Sequence, residues 1–226
     1  MRVLAIDTAL DACAAAVLDT GRSDPLASET RAMTRGHAEA LMPLIARVMD
    51  AAGVEFAELD RVAVTVGPGS FTGVRVGIAA ARGLALASGK PAVGLSTLAA
   101  YTAPHVAAGF TGTVVAVVDA RHGQVYLQAF GPGGRALAPP RLAPARDAVQ
   151  AARTGTALIV GSGADLVASH WPPGERPPAI DARGAPEIAW VARLGAAAEP
   201  GRALPKPLYL RRPDARPQDA GRLPRR

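Results

Sequence analysis

The stretch Gly67-Pro68-Gly69-Ser70-Phe71-Thr72-Gly73-Val74-Arg75-Val76-Gly77 decides the fold class of this chain. It follows the apolar run 62–66, which is typical of a buried strand, and it opens an Ala-rich segment that is typical of a helix. A strand, a glycine loop and a helix N-terminus in this order point several backbone N–H groups at one spot, so the loop could hold an anion. It could equally be a tight turn that lets a helix of small residues pack closely on a sheet.

Strands and helices alternate on both sides of this stretch. Residues 3–6 form an apolar run of strand length like residues 62–66, and a second, loosely similar series of elements begins near Gly112. This alternation predicts an α/β protein. We expect an N-terminal lobe over residues 1–110 and a C-terminal lobe over residues 111–210, whose last helix could pack back on the N-terminal lobe.

Composition limits the class of protein. Among 226 residues, 49% are apolar and only 4% are aromatic, so the core must be built largely from Ala, Val and Leu. No apolar run approaches the ~18 residues of a membrane helix. The chain has one cysteine, Cys13, which excludes an intrachain disulfide. We therefore expect a cytoplasmic protein without membrane contact.

The end of the chain is its most basic segment. Residues 211–226 contain six arginines and two aspartates, a local net charge of +4, whereas the whole chain has a formal net charge of +6. This pattern indicates a disordered tail that keeps the protein soluble. An arm that contacts nucleic acid is the alternative.

The helix predicted after the glycine loop, over residues 72–88, lacks a polar face. Arg75 and Arg82 are its only charged residues, and they lie seven positions apart on one side. Almost every other position is apolar or small, and a helix without a polar face is buried on more than one side. We therefore expect this helix to pack on its own sheet and also against something else, such as a partner chain.

Spacing argues against several well-defined kinds of site. Gly73 is followed by Val74 and Arg75, whereas a P-loop requires Lys and Ser or Thr there. The glycine spacing G-x-G-x-x-x-G and the absence of an acidic residue about 20 positions later do not match a dinucleotide fold. Ser70 is not in a G-x-S-x-G elbow, and the four histidines are not spaced as zinc ligands.

Asp7, Thr8 and Asp119 are candidates for a nucleotide cleft. Asp7 follows the first predicted strand beside the Thr8 hydroxyl, and Asp119 follows the first strand of the second lobe. Carboxylates at two matching strand ends could hold a Mg²⁺–phosphate between two lobes. The alternative is that Asp7 caps a turn.

Five blocks of this sequence resemble those of one protein family, TsaB. They are residues 4–8 (LAIDT), 67–77 (GPGSFTGVRVG), 94–98 (GLSTL), 119–121 (DAR) and 207–211 (PLYLR). The resemblance runs from Met1 to about Arg211, and the 67–77 block is specific. TsaB proteins are bacterial paralogues of TsaD.

The resemblance implies an actin-like ATPase (ASKHA) fold with two α/β lobes and mixed sheets. It also implies a role in making threonylcarbamoyladenosine in tRNA, as a non-catalytic scaffold that pairs with a TsaD-like catalytic subunit and works with a TsaE-like ATPase. Contact with tRNA would come through the complex, and a homodimer is the competing state when TsaD is absent. No cofactor of its own is expected, although ATP or ADP could lie at the interface of the complex. The alternative is an enzyme in its own right, an ASKHA ATPase or a glycoprotease-like peptidase.

The same resemblance implies roles for particular residues. TsaD-like proteins carry an H-x-x-x-H metal motif, and Thr97 and Tyr101 stand at its two positions here, so no metal site and no catalytic residue are expected. The glycine loop then has a structural role, or binds an anion or nucleotide weakly, through Gly67, Gly69, Ser70, Thr72 and Gly73. In the family, two helices form a bundle with the partner. Here they correspond to residues 36–52 and 72–88, and the candidate contact residues are Met42, Ile45, Met49, Arg75, Ala79, Arg82 and Leu86. Some of these could instead face the protein's own sheet.

Overall fold

The computed structural model describes residues 1–153 and 155–211, which form two mixed five-stranded sheets. In the first sheet the strand order is β3-β2-β1-β4-β5. Strand β2 pairs antiparallel with β1 and β3, whereas β4 pairs parallel with β1 and β5. The strands are β1 (Arg2–Asp7), β2 (Ala12–Asp19), β3 (Ala27–Ala32), β4 (Arg61–Thr65) and β5 (Ala92–Leu95).

The second sheet repeats this arrangement. Its order is β10-β9-β6-β7-β8, with β7 antiparallel to β6 and β8, and β9 parallel to β6 and β10. Each sheet is therefore a three-stranded meander extended by two parallel strands, which confirms the predicted duplicated α/β fold. The strands are β6 (Thr113–Asp119), β7 (Gln124–Phe130), β8 (Arg141–Pro144), β9 (Ala157–Val160) and β10 (Ala179–Asp181). The predicted lobe boundary after residue 110 falls between the two sheets.

Six helices cover these sheets in the described part of the chain. The first three are α1 (His37–Ala52), α2 (Phe71–Ser88) and α3 (Thr97–Ala107), and the others are α4 (Ala145–Ala152), α5 (Ala164–Ser169) and α6 (Ile188–Ala197). Helices α1 and α2 pack on one face of the first sheet, and α6 packs on its other face. Because both faces are covered, β1 and β2 are buried along almost their whole length, which is why they read as continuous apolar runs.

The last helix, α6, returns from the second lobe to the first. Its Gly195 lies so close to Ala63 of β4 that a Cβ at this glycine would be 2.3 Å from the alanine Cβ. At the end of α6, the guanidinium of Arg61 donates hydrogen bonds to the carbonyl oxygens of Gly195, Ala196 and Ala198. The charged guanidinium supplies hydrogen bonds to carbonyl oxygens at the C-terminus of the helix, and its charge interacts favourably with the helix dipole.

Helix α3 joins the two lobes. Its Leu98 and Tyr101 are buried in one cluster with Val114 and Ala116 of β6. This packing holds the carboxyl edges of β1 and β6 on either side of a cleft. Within residues 1–153 and 155–211, no helix is long and apolar enough to cross a bilayer.

Candidate functional site

A cleft of about 570 Å³ lies between the lobes. The N-terminal lobe contributes residues from the β1–β2 turn, the approach to α1 and the glycine loop, and the C-terminal lobe contributes the β6–β7 hairpin. Among the lining residues are Leu10, Arg35, His37, Ser70, Asp119 and Arg121. Of the three predicted nucleotide-site residues, Asp119 lines this cleft, whereas Asp7 and Thr8 are buried and do not line it.

The Asp7 carboxyl is sealed inside the first lobe. Its Oδ1 accepts hydrogen bonds from the Thr65 hydroxyl at 2.5 Å and from the Ala9 N–H at 2.9 Å, so Asp7 does cap the turn after β1. Its Oδ2 is buried, and no residue of the described chain hydrogen-bonds to it. Burial raises the pKa of Asp7, although both hydrogen bonds and the nearby His37 oppose the rise. Because Asp7 is completely buried and its Oδ1 caps the turn after β1, its carboxyl is not exposed to a Mg²⁺–phosphate in the cleft.

The glycine loop packs directly on the turn that follows β1. A Cβ at Gly69 would lie 2.2 Å from the Ala9 carbonyl oxygen, and one at Gly73 would lie 2.1 Å from the Thr8 carbonyl oxygen. The Thr8 hydroxyl donates a 2.7 Å hydrogen bond to the Gly73 carbonyl. Two glycines are therefore required because the start of α2 and the end of β1 touch backbone to backbone.

Polar groups of the glycine loop form hydrogen bonds within the protein. The Ser70 N–H donates to the Ala9 carbonyl oxygen at 2.7 Å, and the Ser70 hydroxyl accepts from the Gly73 N–H as the N-cap of α2. Gly67 has φ near +98° and carries the turn away from β4. Thr72 is exposed on the first turn of α2. Of the two interpretations of the sequence, the geometry favours close packing over an anion cradle.

Thr97 and Tyr101 lie one turn apart on α3, as their spacing predicted. Both are buried, and the Tyr101 hydroxyl donates to the Arg183 carbonyl oxygen at 3.0 Å. Burial also raises the pKa of the Tyr101 hydroxyl. The Thr97 hydroxyl has no hydrogen-bond partner in the part of the chain that the structure describes. In residues 1–153 and 155–211, no cluster of three or more His, Cys, Asp or Glu could hold a metal ion.

Helix α2 presents an exposed stripe on the side that faces away from the sheet. Its residues Arg75, Ala79, Arg82 and Leu86 are exposed, and Leu86 has 86% of its surface accessible. Neither arginine forms an ion pair within the described chain, and α2 contains no acidic residue. A helix with so large an exposed apolar side chain and unpaired cations has the chemistry of an interaction surface.

The stripe predicted on α1 is corrected by the structure. Ile45 is completely buried and Met49 is 3% exposed, and both belong to the core beneath the helix. Only Met42, which is 47% exposed, remains on the surface. The three residues share one side of a helical wheel, but the sheet covers the part of that side that Ile45 and Met49 occupy. Neither residue can contact a partner while the lobe is folded.

Comparison with known proteins places this geometry in a family. The sequence model of the TsaD family, described as tRNA N6-adenosine threonylcarbamoyltransferase, matches residues 29–151. The TsaB protein of Escherichia coli, a tRNA threonylcarbamoyladenosine biosynthesis protein, is 36% identical over 126 residues, which are 56% of this chain and 53% of that protein. The crystallised YeaZ of Pseudomonas aeruginosa is 30% identical with a TM-score of 0.75, covering 92% of this chain and 99% of that one. The chain belongs to the TsaB/YeaZ family.

The extent of each likeness differs. The alignment spans about half the length of the E. coli TsaB protein but nearly all of YeaZ. The ethanolamine utilization protein EutJ of Carboxydothermus hydrogenoformans shares the architecture with a TM-score of 0.51 at 13% identity, over 86% of this chain and 90% of its own. This likeness concerns the fold alone. This member of the TsaB/YeaZ family therefore has the predicted actin-like ASKHA fold.

Sequence reasoning did not show that one extended segment of this TsaB/YeaZ-family chain bridges the two lobes. Residues 203–211 form a strap that runs from the end of α6 across the N-terminal lobe to the second lobe. The Gly94 N–H donates to the Ala203 carbonyl oxygen, and the Leu208 N–H donates to the Val66 carbonyl oxygen. At the far end, Arg211 donates to the Ala120 carbonyl oxygen. The Pro-rich sequence 205–207 signals an extended segment, but it does not show what the segment crosses. Residues 212–226, the rest of the predicted basic tail, lie outside the described residues.

Proposed function

We propose that this chain acts in the biosynthesis of threonylcarbamoyladenosine in tRNA, as a non-catalytic subunit that pairs with a TsaD-like catalytic subunit. The names of the TsaB relatives and the match to the TsaD family support the pathway. The observation that carries the pairing is the exposed stripe on α2. Its apolar surface and its two unpaired arginines would be covered by a partner helix that supplies acidic and apolar side chains.

The non-catalytic role is supported by the geometry around Asp7. In this proposal the glycine loop allows the start of α2 to pack closely against the turn after β1, and Asp7 stabilises that turn rather than binding a phosphate. Thr97 and Tyr101 stand where a TsaD-like subunit would carry imidazoles, and neither side chain is a comparable ligand for iron or zinc. A nucleotide used by the complex would then be held by the partner or at the interface, with a TsaE-like ATPase acting on the assembly. The natural compartment for this work is the cytoplasm.

The partner surface is proposed to comprise Met42 together with Arg75, Ala79, Arg82 and Leu86. Ile45 and Met49 are not part of this surface because they are core residues. The stripe could also bind a second copy of this chain when the catalytic subunit is absent. Pairing with a TsaD-like subunit and self-association would then compete for the same residues.

Co-purification with the cognate TsaD-like subunit tests the proposal. Leu86→Asp should abolish pairing, because it places a charge in the proposed apolar contact, and it should leave the melting temperature within about 2 °C of the parent chain. Leu137→Asp, which changes an exposed leucine of the second lobe, is the matched control and should pair normally. Retained pairing with Leu86→Asp would refute the proposed surface. ATP turnover by the isolated chain that Asp7→Ala removes would instead establish an enzyme.

A further inference from the structure

The strap is firmly attached to the first lobe. The Gly94 N–H donates to the Ala203 carbonyl oxygen and the Leu208 N–H donates to the Val66 carbonyl oxygen, each at 2.8 Å. The Leu208 side chain packs against the core that α1 and α2 cover. The strap also lies so close to β5 that a Cβ at Gly94 would be 2.8 Å from one of the strap's carbonyl oxygens. This part of the strap therefore belongs structurally to the first lobe.

The Tyr209 ring extends this attachment to the edge of the cleft. Its centroid lies 5.2 Å from that of the Phe71 ring, at an angle of 30° between the planes. Aromatic pairs at this separation attract each other beyond the effect of burial alone. Phe71 follows Ser70, which lines the cleft. The strap thus runs along the rim of the cleft, from the glycine loop towards the second lobe.

The attachment to the second lobe depends on one side chain. The Arg211 guanidinium donates to the Ala120 carbonyl oxygen at 3.0 Å and to Oε1 of Gln124. Within residues 1–153 and 155–211, the strap forms no other hydrogen bond to the second lobe, and Arg211 forms no ion pair. Both acceptors are neutral. The strap therefore has a fixed end on the first lobe and an end on the second lobe that the loss of one side chain would free.

The turn that Arg211 holds has a strained backbone. Between β6 and β7, Arg121 has φ near 66° and His122 has φ near 54°, a left-handed conformation that is costly for residues with a side chain. Arg211 binds this turn on both sides, at Ala120 before it and at Gln124 after it. Arg121 lines the cleft. The two hydrogen bonds of Arg211 therefore hold the part of the hairpin that faces the cleft.

Away from the strap, the lobes meet largely through apolar packing. Leu98 and Tyr101 of α3 are buried together with residues of β6, and Leu10 of the β1–β2 turn packs against the same cluster. Packed apolar elements tolerate small rotations and sliding, whereas a hydrogen bond is lost over a change of less than 1 Å in length. The strap is therefore placed to limit how far the two lobes separate.

We infer that the strap restrains the opening of the cleft between the lobes, and that Arg211 is the positioning residue at its releasable end. While Arg211 is bound, the β6–β7 turn stays tied to the rim formed by the glycine loop. When Arg211 dissociates, the turn relaxes from its left-handed conformation and moves away from that rim, and the cleft widens. The fixed end of the strap stays on the first lobe. The inference goes beyond the proposed function, because the restraint operates in the isolated chain and needs no partner.

Amide exchange of the full-length chain tests the two ends of the strap separately. Arg211→Ala should speed exchange in residues 120–124 about fivefold, as expected when a modest net hydrogen-bonding contribution is lost. Exchange at the Leu208 amide should stay within about twofold of the parent chain, because the first-lobe end remains attached. Arg202→Ala is the matched control. It removes an exposed arginine whose ion pair with Glu199 is local, and it should change neither rate.

A substitution at the acceptor should act in the opposite direction. Gln124→Glu supplies a carboxylate for Arg211, so a charge-assisted hydrogen bond replaces a neutral one. This variant should slow exchange in residues 120–124, whereas Gln124→Ala should speed it. The slowing should disappear when Arg211→Ala is added, which a double-mutant cycle measures. If the glutamate acts equally with and without Arg211, its effect is local to the hairpin and the inference is wrong.

The width of the cleft can be measured by pulsed electron paramagnetic resonance. Thr34→Cys and Arg146→Cys place spin labels at exposed positions on the two lobes, and the buried Cys13 should not compete for the label. Arg211→Ala should add a component at longer distance, and Gln124→Glu should narrow the distribution. An unchanged distribution with Arg211→Ala would overturn the inference. So would equal acceleration of exchange at Leu208 and in residues 120–124, because the whole strap would then detach rather than one end.

Discussion

Replacing Gly73 by alanine should destabilise the protein, whereas the same change at Gly83 should stabilise it. Both glycines lie in α2, so the gain in helix propensity is similar, up to about 1 kcal/mol. A Cβ at Gly83 meets nothing within 4 Å. A Cβ at Gly73 would lie 2.1 Å from the Thr8 carbonyl oxygen, nearly 1 Å closer than real contacts allow.

The size of the difference follows from these contacts. Moving α2 away from β1 to admit the methyl group costs about 1–3 kcal/mol of packing. It also weakens the buried hydrogen bond from the Thr8 hydroxyl to the Gly73 carbonyl, which contributes about 1 kcal/mol. Gly73→Ala should therefore lose about 2–3 kcal/mol, and Gly83→Ala should gain about 0.5–1 kcal/mol. At 2–4 °C per kcal/mol for a chain of this size, the two melting temperatures should differ by about 5–16 °C.

Thermal and urea unfolding of the isolated chain, followed by circular dichroism, measure the difference. Comparing the two variants cancels the general effect of adding a methyl group to this helix. If Gly73→Ala is as stable as Gly83→Ala, the close approach of α2 to the β1–β2 turn does not explain the glycine loop. A need for space at a ligand would then be the better explanation.

Three further predictions concern other buried or bridging groups. Burial raises the pKa of Asp7 above its ordinary value of 3.8, so the stability that its protonated form contributes is complete below that pH and is lost as the pH rises through the folded-state pKa. In urea unfolding at a series of pH values, the parent chain should therefore lose stability relative to Asp7→Asn across this window. Parallel curves for the two proteins would contradict the assignment. Arg61→Met should lower the free energy of unfolding by about 2 kcal/mol, because the carbonyls at the end of α6 lose a charged donor. An unchanged urea midpoint would show that α6 packs on the first sheet without the hydrogen bonds from Arg61. Arg211→Ala should speed amide exchange in the β6–β7 hairpin about fivefold, as expected for the loss of about 1 kcal/mol, whereas Arg202→Ala, which breaks an exposed local ion pair, should not.

Most of the secondary structure could be predicted because it depends on local patterns. The apolar runs of β1, β2, β4 and β6 have the length of buried strands, and the Ala-rich segment of α2 has the length of a helix. The strand β10 was not predicted. It has only three residues after a Pro-rich loop, and its pairing with β9 supplies the stability that its own sequence lacks.

The face that a helix buries was harder to predict. Met42, Ile45 and Met49 lie on one side of α1 by sequence, yet two of them are in the core and one is in solvent. Hydrophobic spacing identifies a stripe, but the width that the sheet covers depends on the angle at which the helix crosses it. On α2 the residues of the predicted stripe are exposed, and their role as a partner contact stays a prediction.

By itself, the sequence determined the order of most elements, the duplicated α/β plan and the absence of P-loop and dinucleotide spacings, because each of these depends on residues close together in the chain. Only the tertiary structure decided that Asp7 is sealed, that Gly69 and Gly73 are wedged against the β1–β2 turn, and that the strap carries Tyr209 to Phe71 and Arg211 to the second lobe. These contacts join residues from about 60 to nearly 140 positions apart. Their free energy comes from burial and backbone approach between elements, which no local pattern records.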